Sequence, residues 1–216
     1  MFITFEGIDA SGKSTQLELL EKNLRDKGYK VLLTRQPGGT RIGQQIRKVI
    51  LDPDNTDMIP ETEVLLYMAD RLQHLRQLVQ PALEEGKIVL CDRYHDALVV
   101  YQGAGRQMDL SWLKPIEGKF LLHPNLTFYL DISLEKSKHR LEKRNQTQGI
   151  KNCRLESEND EFFKRVIQKY DDLCQNEADR FIRIPAEKGR GATQKAILDI
   201  LIPELEEKKQ RLYGIF

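Results

Sequence analysis

The chain has 216 residues with 34 Lys and Arg against 33 Asp and Glu. That length suits one sizeable core, and the formal net charge of +1 provides no global field to draw the chain onto nucleic acid or a membrane surface. No apolar run approaches the ~20 residues needed to cross a bilayer, and the first residues enter a strand pattern without a basic n-region or apolar h-region. Cys91, Cys153 and Cys174 are scattered, odd in number and without metal-ligand spacing, so free thiols and a cytoplasmic location are expected.

A short apolar strand, Phe2-Ile3-Thr4-Phe5, runs into Gly7-Ile8-Asp9-Ala10-Ser11-Gly12-Lys13-Ser14, and a helical pattern through Leu17, Leu20 and Leu24 runs out of it. Strand, G-x-x-x-x-G-K-S loop and helix form the context in which this spacing binds a polyphosphate. Gly7 and Gly12 permit turns that a Cβ would forbid. The loop amides from Gly7 to Thr15, including those of Ile8, Asp9, Ala10 and Ser11, then face phosphate oxygens at a helix N-terminus. Lys13 would reach the β- and γ-phosphates, and the Ser14 hydroxyl would ligate Mg²⁺.

Downstream, Val31-Leu32-Leu33 after Gly28 predicts a second strand, and Ile42, Ile46, Val49 and Ile50 predict a helix face. A long helical pattern follows Pro60, with Pro81 expected to kink or restart it. Ile88-Val89-Leu90-Cys91 predicts a third strand buried on both faces. Leu126–Leu130 and Phe181–Ile184 predict two more, and Ser157-x-x-Asp160 reads as an N-terminal box for a helix through Phe163 and Tyr170. The last helix contains Pro203. Five strands alternating with helices imply an α/β fold, a parallel doubly wound sheet with helices on both faces. Ligands in such sheets sit beyond the carboxyl ends of the strands, where Asp9, Arg35, Asp92, Arg93 and Asp131 fall.

An aspartate after a strand is often only a helix cap or a surface ion pair. Beside a phosphate loop, Asp92 reads as a metal-holding carboxylate. Arg93 next to it offers a bidentate clamp for a second phosphate. Thr34-Arg35-Gln36-Pro37-Gly38-Gly39-Thr40 makes a tight turn with Arg35 at its entrance. Two arginines beside a phosphate loop point to a second anionic ligand, as in a small kinase acting on a phosphorylated acceptor.

With these residues placed, the chain resembles the thymidylate kinases of the bacterial type over nearly its whole length. The resemblance rests on Phe5–Gln16, on Thr34-Arg35-Gln36-Pro37-Gly38-Gly39-Thr40, on Asp70-Arg71, and on Asp92-Arg93-Tyr94-His95-Asp96 leading to Tyr101-Gln102-Gly103. It implies a single domain over residues 1–216 with the P-loop NTPase fold, a mobile lid at about 144–157, a cytoplasmic homodimer, and transfer of the ATP γ-phosphate to dTMP with Mg²⁺. It implies that Asp9 sits near the acceptor sugar and the metal, and that Arg35 and Arg93 hold the acceptor phosphate. Tyr67 would stack on thymine, Arg71 would hydrogen-bond the base edge, and Tyr101 and Gln102 would line the base and sugar pocket. Without the resemblance, Tyr67 reads as core, since it lies in Val64-Leu65-Leu66-Tyr67-Met68. Tyr67 and Arg71 stand four apart, so both can face one pocket.

The chain departs from the family where Glu is replaced by Gln36, Ser by Ala97, Ala by Val100, the stacking Phe by Tyr67, and the Asp or Asn before the lid arginine by Cys153. Ala97 and Val100 would remove a hydroxyl and add bulk near the acceptor. A related kinase with another nucleotide or nucleoside acceptor, and a nucleotide-binding protein without transfer, stay open as alternatives. Some family members carry a catalytic arginine inside the phosphate loop, where this chain has Ala10. The charge is then expected from the lid, in which Arg140, Arg144 and Arg154, with Lys143 and Lys151, flank a polar loop Asn145–Gly149. Arg144 and Arg154 are the expected catalytic pair, beside Lys13, Arg93 and Asp9.

Overall fold

The computed structural model describes residues 1–149 and 153–213. Five parallel strands form one sheet: β1 (Phe2–Glu6), β2 (Val31–Arg35), β3 (Ile88–Asp92), β4 (Leu126–Asp131) and β5 (Phe181–Pro185), in the order β2-β3-β1-β4-β5. Phe2 is opposite Val89 and Ile3 opposite Leu90, so alternate residues of β1 and β3 enter opposite layers. Ile3, Phe5, Ile88 and Leu90 join Leu17, Leu20 and Leu24 of α1 (Lys13–Asp26), Val166 and Tyr170 of α8 (Asp160–Asn176) and Ile197 of α9 (Arg190–Tyr213). Phe2, Val89 and Cys91 pack with Leu75, Val79 and Ala82 on the other face. Each fully buried large apolar side chain contributes roughly 1.5–3 kcal/mol, which explains why Ile88–Cys91 of β3 reads as an unbroken apolar run. Helices therefore cover both faces, as expected.

The long helix after Pro60 is three segments: α3 (Pro60–His74), a π-helical stretch (Leu75–Val79) and α4 (Gln80–Glu84). Pro81 sits in the first turn of α4, where its missing N–H costs least, and the widened π turns absorb the break upstream. α2 (Arg41–Leu51) departs from the expected face. Ile42 and Val49 are exposed, at 41% and 45%, while Gly43 and Ile50 point inward. The helix at Asp160 is capped by Asn159, whose side chain accepts from the Phe162 N–H at 2.9 Å, and not by the Ser157 box.

The segment Asn145–Gln148, expected as a polar loop, is the last turn of α7 (Leu134–Gln148), which ends on Gly149 at φ 63°. Low apolar content marked it as loop, yet an exposed helix end tolerates polar residues equally well. Lys151 lies outside the described residues, with the 150–152 part of the expected lid. Four shorter elements follow β3 and lead to β4: α5 (His95–Leu98), a second π-helical stretch (Val99–Gly105), a 3₁₀ turn (Ser111–Leu113) and α6 (Lys114–Phe120). Asp96 of α5 is buried and held by a bidentate Arg180 at 2.8 and 2.9 Å, which ties the segment after Arg93 to the sheet. Among the described residues, no helix is long and apolar enough to cross a membrane.

Candidate active site

The carboxyl ends of β1, β3 and β2 meet at one cleft because two backbone bonds continue the ladder past the strands. Arg93 N–H donates to Phe5 O and Gln36 N–H to Asp92 O, both at 2.9 Å. The cleft, of about 590 Å³, is lined by the loop Asp9–Gln16, by Arg35, Arg47, Asp92 and Arg93, and by Arg140 and Arg144 of α7. α1 begins at Lys13, so its N-terminal dipole and amides face this space. Gly7 has φ 138°, and a Cβ there would lie 2.7 Å from Leu130 O. No other residue could keep the loop this close to β4.

Lys13 folds over the loop and donates to Gly7 O and Ile8 O, each at 3.0 Å. Burial, reinforced by Arg93, lowers its pKa to about 8. Ser14 Oγ donates to Asp92 Oδ2 at 2.8 Å, so a hydroxyl and a carboxylate already stand together. Two hard oxygen donors with open cleft beside them suit Mg²⁺, which keeps most of its other ligands as water and phosphate oxygens. Asp9 is placed differently. Its Oδ1 accepts from Arg93 Nη2 at 2.9 Å, and although burial opposes its charge, Arg93 and Lys13 hold its carboxyl below the usual range.

Arg93 has φ 63°, a left-handed backbone that a long side chain adopts only under constraint. Its guanidinium lies over the Tyr101 ring at 4.8 Å, and its buried Nη1 has no hydrogen-bond partner among the described residues. Beneath it, Glu6 accepts from Tyr94 N–H at 2.8 Å and Tyr170 Oη at 2.9 Å. Burial, against the pull of Arg93, raises Glu6 to about 7 from 4.5. Between those values the folded chain holds the proton and the unfolded chain has released it, so this group's contribution to stability falls as pH rises from 4.5 to about 7. Denaturant titrations across that window are expected to show a smaller fall in Glu6→Gln than in the parent. Parallel curves would contradict it.

A second pocket opens from the first. Asp9, Gln36, Arg47, Arg93 and Glu156 border both, and Tyr67, Arg71, Ala97, Tyr101 and Gln102 line its far end. The residues expected at an acceptor are thus brought together, with Arg35 the exception, since it is exposed and borders only the first cleft. Val100 is buried in the main core rather than in the pocket, so the expected bulk near the acceptor is not there. Gln36 accepts from Arg71 Nε at 3.1 Å, a bond its amide oxygen makes without the carboxylate's charge. Arg71 also donates Nη1 to His95 Nδ1 at 3.0 Å. Burial and then Arg71 depress His95 to about 2, so the ring stays neutral and accepts.

Arg47 is a site residue that the sequence reading did not single out. It shares the inward face of α2 with Gly43 and Ile50, donates to Pro37 O at 3.0 Å, and reaches both pockets. An arginine on the buried face of a helix leaving the Pro-Gly-Gly turn was the available signal.

The expected lid arginines separate. Arg140 braces the phosphate loop through Ala10 O at 3.2 Å and Ser11 O at 3.4 Å. Arg144 borders the first cleft, held by both Glu156 oxygens (3.1 and 3.2 Å) and by Asn145 Oδ1. Arg154 borders neither pocket. It donates to Ile50 O at 3.2 Å and to Glu63, pinning its segment to α2 and α3.

The family model for thymidylate kinase matches residues 5–197. The thymidylate kinase of Exiguobacterium sp. is 43% identical over 209 residues, covering 96% of each chain. That of Halothermothrix orenii is 45% identical over 199 residues, 91% of this chain and 94% of that protein. Among solved structures, the thymidylate kinase of Ehrlichia chaffeensis superposes with a TM-score of 0.74 at 28% identity, covering 93% of this chain and 98% of that one. Two adjoining pockets at the carboxyl edge of a doubly wound sheet, matched over almost the full length by such relatives, settle the kinship: the chain belongs to the thymidylate kinase family.

Proposed function

We propose that the chain transfers the γ-phosphate of ATP to the 5′-phosphate of dTMP, giving dTDP and ADP. One observation carries this reading. Arg93 and Arg47 border both pockets, so two cations stand where phosphates bound in the two would meet. The phosphate loop would hold the ATP phosphates and Lys13 would swing from the loop carbonyls onto them. Arg93, with its unmatched Nη1, and Arg47 would take the acceptor phosphate. Tyr67, Arg71, Tyr101 and Gln102 would enclose its nucleoside. Ser14 and Asp92 would hold Mg²⁺, which when bound neutralises charge on the transferring phosphates. A phosphate monoester is already nucleophilic near neutral pH, so alignment and positive charge suffice and no strong base is required. Arg144 would supply the remaining charge at the γ-phosphate.

The same reading takes the chain as one domain and as a cytoplasmic homodimer. The three free thiols support a reducing compartment, and the exposed apolar side chains Ile42 and Val49 on α2 and Leu65 on α3 support a second copy packing against these helices. The test is ADP release with ATP and Mg²⁺ against a panel of dTMP, dUMP, dCMP and thymidine. Strong stimulation by dTMP is the expected result. Stimulation by thymidine instead, or by no acceptor, would sink the reading.

A further inference from the structure

Glu63 is fully buried in the first turns of α3, at 0% exposure, and has no part in the chemistry described above. Its Oε1 accepts from the Gln102 amide Nε2 and from Arg106 Nε at 3.1 Å, and its Oε2 accepts from Arg154. A carboxylate offers no N–H, so Gln102 can face it only with its NH₂ group. Gln102 lines the second pocket, and with its nitrogen committed to Glu63 the group left for a ligand is the carbonyl oxygen. Arg106 is tied as well to Glu158 at 2.9 Å, and Arg154 to the end of α2, so Glu63 cannot turn away without breaking several bonds.

We propose that Glu63 is a positioning residue that sets the base preference of the pocket by fixing the Gln102 amide. So held, the pocket presents one hydrogen-bond acceptor from Gln102, with the Arg71 guanidinium as a cationic donor group lining the same pocket. That pattern fits a pyrimidine-2,4-dione, whose ring N3–H donates and whose exocyclic oxygen accepts. A 4-aminopyrimidine inverts both groups and leaves buried polar atoms unmatched. The inference rests on the proposed nucleotide acceptor but assigns its discrimination to a residue outside the pocket.

Glu63→Leu nearly conserves size, removes the acceptor that faces Gln102 and tests this. With no carboxylate opposite it, the Gln102 amide is free to turn its NH₂ group into the pocket. Binding of dTMP and dCMP measured by calorimetry is expected to show the dTMP preference falling by roughly 10-fold or more, chiefly through weaker dTMP, with ATP binding unchanged. Arg154→Met, which cuts one of the other two ties of Glu63 but keeps its bond to Gln102, is expected to keep the preference. An unchanged preference in Glu63→Leu, or an equal loss in Arg154→Met, overturns the proposal. If Glu63→Leu does not fold, Glu63→Asp withdraws the carboxylate by one methylene, and the same ratio decides. Because binding is read directly, a parent chain that prefers dTMP but does not phosphorylate it would defeat the functional reading and leave this inference standing.

Discussion

Replacing Arg144 by alanine is expected to lower turnover by roughly 10³-fold while KM for ATP stays within a few-fold. Such a signature belongs to a group that acts more strongly in the transition state than in the ground state. Three features lead to it. Ala10 has no side chain able to supply charge from the loop. Arg140, the other α7 cation on the cleft, is committed to the backbone oxygens of Ala10 and Ser11, so its loss should disturb the loop rather than one step. Arg144 is held on the cleft wall by the side chains of Glu156 and Asn145, partners that a more highly charged phosphate can outcompete. Arg154→Ala is expected to behave differently, with reduced stability and a raised KM for dTMP but a smaller loss of kcat. Steady-state kinetics of the two variants check the contrast. Equal kcat losses, or normal turnover in Arg144→Ala, would contradict it.

The separation of Arg144 from Arg154 shows what a sequence can and cannot carry. Gly7, Gly12, Lys13 and Ser14 were legible because the loop chemistry is local: a strand, a few residues and a helix fix it without help from the rest of the chain. Asp92 and Arg93 were legible because parallel sheets always bring strand ends to one edge. Arg47 and Glu63 were not, since their value lies in what packs against them. Glu63 meets Gln102 and Arg154 from 39 and 91 residues away, and no periodicity encodes such meetings. The outward turn of Ile42 and Val49 fails for a related reason. A hydrophobic stripe predicts burial, but not whether the cover is this chain's own core. Asn145–Gln148 is the converse, a polar stretch that is helical because α7 continues to a glycine stop.

Arg93→Met is expected to reduce kcat/KM for dTMP by roughly 10³-fold or more, the largest loss among acceptor-side variants. The structure holds this side chain at evident cost: a left-handed backbone at φ 63°, a guanidinium over an aromatic ring, and a buried Nη1 without a partner among the described residues. An unmatched buried donor costs about 1–3 kcal/mol, which a bound phosphate would offset, so much of the free energy of acceptor binding should pass through this one group. Arg93→Lys should recover only part of the loss, because an ammonium cannot reach Asp9 and a phosphate together in the planar fork that guanidinium offers. The pH profile adds a second signature. Asp9 is kept ionised against burial first by Arg93 and then by Lys13. Without Arg93 its pKa must rise, so the acid limb of the Arg93→Met profile should move to higher pH, while that of Arg93→Lys moves less. A profile that does not move in Arg93→Met would mean that Asp9 takes no part in the rate. A loss confined to KM for ATP would place Arg93 on the donor instead of between the two phosphates.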